Sequence, residues 1–169
     1  GLKEISNPSE LFLGQNKQAL SGSAITCIIE GTRPFLIEIQ ALVTKTIFGY
    51  TQRKTAGFDL NRLQMLTAVL IKRADVPLIN QDIHLNVVGG LKITETAADL
   101  AVCLAIYASL KNITIPAETL IIGEVGLGGE IRSVYQLDKR IEEAKKLNFK
   151  TIITPVSKTK QQNIIQVNN

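Results

Sequence analysis

His84 is the only histidine of the chain, Cys27 and Cys103 are its two cysteines, and Arg53-Lys54 is a pair of adjacent cations in a polar stretch. A Ser-His-Asp arrangement would depend on His84 alone. It stands between Ile83 and Leu85 in a strand-like run, where a structural or surface role is the simpler reading. Metal sites need several converging ligands, and one histidine with two distant cysteines does not supply them. The cysteines sit in apolar surroundings and read as buried, reduced thiols, which suits a cytoplasmic chain. A phosphate loop needs a lysine at the end of its glycine spacing to reach the terminal phosphates. The glycine-rich "GEVGLGGE" at 123–130 has no such lysine and reads as turn chemistry.

Serine-lysine chemistry needs no histidine, because a lysine in an apolar pocket can lose its proton and activate a hydroxyl. The stretch "GGLKITETAADLAVCLA" at 89–105 is the place to look for it: a glycine turn leads through threonines into a helix that is apolar almost all round. The hydroxyls at that mouth are Thr94 and Thr96, for which helix capping is the simpler role. Lys92 reads as a strand-end lysine at the surface.

The elements that must position these residues alternate. A hook at "NPSELFL", with Pro8 at a first helical position, precedes two β-branched runs, "SAITCIIEG" and "RPFLIEIQALVT". Joined at Gly31-Thr32, these read as antiparallel neighbours. "GYTQRKTAGFD" reads as a polar, flexible loop. Asp59 then caps a helix with Leu60, Leu63, Leu66 or Thr67, and Leu70 on one side. Lys72 and Arg73 fall in its last turn, where the helix dipole favours cations. "DIHLNVVGG" is a strand with Ile83, Leu85 and Val87 inward. "TLIIGEVGLGGEIRSV" reads as a hairpin, "QLDKRIEEAKKLN" as a helix burying Leu137, Ile141, Ala144 and Leu147, and "TIITP" as a last strand before a polar tail. The fold class is α/β (α+β), a mixed sheet with packed helices.

The 169 residues suit one domain, 45% of them hydrophobic, and no run approaches the length of a membrane span. The opening "GLKEISNPSELFL" has no secretory character, and Gly1 in place of Met suggests a fragment or a processed product. Net charge is +4. From Ile131 onward Arg132, Lys139, Arg140, Lys145, Lys146, Lys150, Lys158 and Lys160 stand against Asp138, Glu142 and Glu143. That end reads as a solvated helix face with intrahelical pairing or, more sharply, as a surface for a polyanion.

Four anchors in order, "NPSE.FL", "D.NRL.ML.AVL", "TETAADLA" and "GEVGL.GE.R.V", resemble the Lon-type peptidase fold (ribosomal protein S5 domain 2-like). More closely they resemble the carboxy-terminal Lon-like domains of the RadA (Sms) family of bacterial DNA repair and recombination proteins. The resemblance covers nearly the whole chain. It implies residues 1–20 as a linker from an ATPase core and 21–169 as a single Lon-like domain. In Lon peptidases the segment matching "TETAADLA" carries the serine, which puts the nucleophile on Ala97; the catalytic lysine falls on Asp138, next to Lys139. Glu95 and Asp99 replace glycines of the peptidase loop. The resemblance therefore implies a pseudo-peptidase, with a residual peptidase acting through another hydroxyl as the remote alternative.

Members of the RadA family are DNA-dependent ATPases or helicases that form hexameric rings. Their ATP, Mg and Zn sites, in a phosphate loop, a "KNRFG"-type motif and a zinc finger, lie upstream of the stretch that this chain resembles, so no cofactor or metal is expected here. The expected role is a hexamer-forming scaffold and sequence-independent DNA platform, without membrane association. A purely structural oligomerisation module is the alternative. The cations for phosphate contact are Arg53, Lys54, Arg62 and Arg33. Tyr50 and Phe58 are the few aromatics near them, a weak base for stacking on single strands.

Overall fold

The computed structural model describes residues 18–155 and 164–167, in three layers around one mixed sheet. The amino-terminal hook, most of the 1–20 linker, Lys158 and Lys160 lie outside the described residues. β1 (Ser23–Glu30) turns at Gly31 into β2 (Arg33–Lys45), pairing antiparallel from Ser23↔Gln40 to Glu30↔Arg33 as their β-branched runs predict. The sheet order is β3-β4-β2-β1-β5-β8-β9. β3 is Arg53–Ala56, β4 Gln81–Val87, β5 Thr119–Ile121, β8 Thr151–Pro155 and β9 Ile164–Val167.

Two helices cover one face. α1 (Leu60–Arg73) is capped as expected: the Asp59 side chain accepts from the Arg62 N–H at 2.7 Å. α2 (Asp99–Lys111) is the central helix, buried on most of its circumference. Their Leu63, Leu66, Ala101 and Ile106 pack on Ile37, Ile39, Ile83 and Leu85 of β2 and β4. α3 (Leu137–Lys146) covers the other face, where Leu137, Ile141 and Ala144 meet Cys27, Leu36, Leu120 and Ile152. Alternation along β1 and β2 sends their side chains to opposite cores.

Several expectations are corrected. The "GYTQRKTAGFD" stretch is not all loop. Arg53–Ala56 forms an edge strand parallel to β4; Thr55 is β-branched, which favours the extended chain, and Arg53 ties the strand's start to the Gln81 carbonyl. The tail holds a further strand, β9, parallel to β8. The "TLIIGEVGLGGEIRSV" stretch divides: β5 joins the main sheet parallel to β1 and β8, and only β6 (Glu124–Val125) and β7 (Ile131–Arg132) make the hairpin. Leu60, the first residue of α1, is exposed rather than inward.

Neither Thr94 nor Thr96 caps α2. A 3-10 turn at Thr96–Ala98 intervenes, and Ala98 occupies the cap position without a side-chain bond. Gly57 is obligatory between β3 and α1: its φ is +80°, and a Cβ there would stand 2.3 Å from the Leu91 carbonyl oxygen.

Candidate functional site

Ala97 ends the approach to α2. It is 1% exposed and packs in the core shared with α3, while its carbonyl accepts the Gly123 N–H at 2.9 Å. Two residues before it stands Glu95, and from α3 Arg140 reaches it beside the central strand β1. Arg140 Nη1 donates to Glu95 Oε1 at 2.8 Å and Nη2 to Oε2 at 2.6 Å. The same guanidinium donates to the Cys27 carbonyl, and its Nε donates to the Tyr135 carbonyl at 2.9 Å. Glu95 Oε1 also accepts the Ile29 N–H at 2.8 Å.

Arg140 is 0% exposed, so the charge survives burial only because its donors are matched. Asp138, the residue expected opposite Ala97, is exposed on α3 with Lys139 beside it. The α3 residue that reaches the Ala97 segment is Arg140, which the sequence alone groups with the solvated cations. A signal for it exists: 137, 140, 141 and 144 form one helical stripe, and Arg140 stands in it among apolar residues.

Chemically, an alanine methyl offers no nucleophile, and a guanidinium does not give up its proton at neutral pH. Of the nearby hydroxyls, Thr94 is exposed and Thr96 donates to the Glu124 carboxylate. Lys92 is exposed.

A second buried charge pair locks α2 to α1. Asp99 is 0% exposed; Arg62 Nε donates to its Oδ1 at 3.0 Å, Arg62 Nη2 to its Oδ2, and the Val125 N–H to Oδ2 at 3.1 Å. Burial pushes the Asp99 carboxyl up, and the bonds from Arg62 and Val125 pull it back. The bond to Asp99 in turn raises Arg62. The Arg62 head, which also donates to the Val125 carbonyl at 3.0 Å, is thus turned to the protein.

Arg53 is likewise committed. Its Nη1 donates to the Gln52 and Gln81 carbonyls and its Nη2 to the Leu78 carbonyl at 3.3 Å. Partial burial lowers its pKa. Lys54 and Arg33 are exposed, but the fold does not bring them together. Lys54 is in register with His84 and, through it, with Leu42 of β2. Arg33 begins that strand, about 30 Å away at about 3.3 Å per residue. His84 is half-buried in β4, and its Nδ1 has no partner among the described residues.

The corner near Lys54 has other features that the sequence reading misses. Lys45 is exposed at the end of β2, and the loop after it shows Phe48 at 76% and Tyr50 at 69% exposure. Phe58, by contrast, is 7% exposed and belongs to the core. Asp82 ties this loop down: its Oδ1 accepts the Thr46 hydroxyl and the Gln52 N–H, each at 2.8 Å. These bonds, the Gln52 N–H foremost, hold its carboxyl below the usual range.

Among the carboxy-terminal cations, Lys150 pairs with Glu118 at 2.7 Å and Arg132 with Glu124 and Glu130. Burial pushes both thiols up to about 12. No group of three or more His, Cys, Asp or Glu among the described residues is arranged to hold a metal ion. No helix among them is long and apolar enough to cross a membrane.

Comparison with known proteins gives two results. The family model described as "Subunit ChlI of Mg-chelatase" matches residues 61–158. Curated relatives named DNA repair protein RadA match almost the whole chain. The Chlamydia pneumoniae protein is 53% identical over 155 residues, 92% of this chain and 34% of the relative. The Synechocystis protein is 48% identical over 159 residues, 94% of this chain and 32% of the relative. The Escherichia coli K12 protein is 45% identical over 157 residues, 93% of this chain and 34% of the relative. The chain thus spans about a third of the length of these relatives, in their carboxy-terminal part.

Proposed function

This chain belongs to the protein family described as subunit ChlI of Mg-chelatase, and we propose that it is a non-catalytic Lon-like platform for DNA rather than a peptidase. It is homologous to the carboxy-terminal third of DNA repair proteins named RadA, and the proposal follows those relatives because they match over 92% of the chain or more. The observation that carries it is the Glu95–Arg140 pair two residues before Ala97: where a peptidase would need a hydroxyl and a lysine, this chain has a methyl group at 97 and, from α3, a guanidinium salt-bridged to Glu95.

In this reading residues 21–169 act as one domain that needs no cofactor or metal of its own. The chain works in the cytoplasm as part of a hexameric ring. ATP hydrolysis, with the Mg and Zn that accompany it, belongs to other parts of such proteins. DNA is met without sequence readout, through phosphates. Lys54 and Lys45, with Phe48 and Tyr50 between them in sequence, support the β3 corner as the contact surface. Arg33 would contribute only from the far end of β2. Arg53 holds that surface from within, while Arg62 is committed to Asp99 and the Val125 carbonyl.

Binding of the chain to a labelled DNA duplex across a salt series, with sedimentation of the same samples, tests the reading. Affinity should fall linearly in log salt, with a shallower slope in Lys54→Ala. A stable oligomer with no DNA binding at any salt would favour the second reading, a purely structural oligomerisation module. The inward commitment of Arg53 and Arg62 is the observation on that side.

A further inference from the structure

An apolar groove of about 520 Å³ runs between α1, α2 and the turn of the β6–β7 hairpin. Leu70, Leu104, Val125 and Ile131 line it, with Tyr107 and Arg73 at its rim. It lies on the α1–α2 face, whereas Ala97 packs with α3 on the other. Its size is that of a site for a small apolar ligand or a few side chains. Cys103, 5% exposed, lines it as well.

The chain enters the described fold at the carboxy-terminal end of α2, the helix whose Leu104 and Tyr107 line the groove. Ser21 Oγ donates to the Ala108 carbonyl at 3.2 Å, and Ser21 bridges to Thr114. Gly22 is held against β2, where a Cβ would stand 2.1 Å from the Ala41 carbonyl oxygen. Tyr107 precedes Ala108, and Leu104 lies one helical turn further back, about 6 Å at 1.5 Å per residue. Seventeen residues precede Gln18, and among them Leu11, Phe12 and Leu13 are consecutive, directly after Glu10. From Ser21 back to Leu13 the backbone can span about 26 Å.

We propose that Leu11, Phe12 and Leu13 seat in this groove of the same chain, with Glu10 facing Arg73 at its mouth. Two observations select this occupant. The entry point of the chain puts the apolar triplet within reach, at a high effective concentration that a separate molecule would have to match. The acidic residue before the triplet complements the cation at the rim. Docking would fix the direction in which the chain arrives at β1.

Disulfide trapping on the full chain tests this. Phe12→Cys with Leu104→Cys, in a Cys103→Ala background, should form an intramolecular disulfide under mild oxidation. Phe12→Cys with Lys139→Cys, on exposed α3, should form at most a tenth as much. Disulfide-linked dimers in place of the intramolecular bond would overturn docking within one chain and put a second copy in the groove. No disulfide, with the thiol introduced at position 12 fully open to maleimide, would overturn docking altogether. A measurement without groove substitutions stands beside it. Phe12→Asp should raise the fluorescence of an apolar dye several-fold over the unchanged chain; equal fluorescence of the two would sink the proposal.

Discussion

Arg140 of α3 and Glu95, forty-five residues apart in sequence, meet in a bidentate pair with N–O distances of 2.8 and 2.6 Å. The guanidinium is fully buried and the carboxylate 28% exposed. The pair joins the approach to α2, strand β1 and helix α3 through the Cys27 and Ile29 backbone. Removing one partner leaves the other desolvated and unmatched. Arg140→Ala should therefore cost about 3 kcal/mol of stability, read from urea denaturation, and Glu95→Gln less, because an amide still offers one acceptor.

The same geometry predicts the fate of an attempted reactivation. Ala97→Ser with Arg140→Lys places a hydroxyl and an amine in the neighbourhood, yet Glu95 remains to hold the lysine charged. Neither Ala97→Ser alone nor the double variant should cleave casein or a fluorogenic peptide above the rate of the unchanged chain. Turnover by either variant would contradict the pseudo-peptidase reading.

Arg53 and Lys54 are neighbours with different tasks. Lys54→Ala should reduce the slope of log affinity for DNA against log salt by about 1, the value for one lost phosphate contact. Arg53→Ala removes three bonds to the Gln52, Leu78 and Gln81 carbonyls. Its main effect should be faster amide exchange around residues 78–83, with the salt slope unchanged.

Asp82 makes the 46–52 loop sensitive to acid. Its folded pKa lies below the ordinary 3.8 because the Gln52 N–H and the Thr46 hydroxyl favour the carboxylate. A depressed acid pKa contributes stability above the unfolded value and loses it as pH falls through the folded one. Protection of the Gln52 amide should hold at pH 5 and fall as the pH drops below about 4; in Asp82→Asn it should be weaker and should not change over that pH range, because the amide oxygen still accepts but carries no titrating charge.

Cys27 and Cys103, pushed up to about 12 by burial, should react with a thiol reagent at pH 8 only as fast as the protein opens. The rate should rise with urea in step with unfolding. A fast phase in the native protein would show that one thiol is accessible.

Much of the architecture is legible from local pattern. The β1–β2 pair, the Asp59 cap and the stripe of α3 follow from alternation, capping chemistry and helical period, each decided within about ten residues. The boundaries at β3 and β9 are not, because both are short edge strands whose pairing partner lies elsewhere in the chain. The candidate site shows the same division. Ala97 is visible in the sequence, while Arg140 is hidden among the charges of its segment although it stands in the apolar stripe of its helix.

By itself, the sequence determined that no serine stands at position 97, that the chain is of mixed α/β class, and that it is similar to the carboxy-terminal third of proteins named DNA repair protein RadA. Which charges meet was decided by tertiary structure alone. Arg62 finds Asp99 across thirty-seven residues, and Arg140 finds Glu95 across forty-five. Such pairs depend on where helices cross the sheet, and a buried charge is held only where its partner arrives in register. No local pattern carries that information, so two cations that look available for solvent or DNA turn inward.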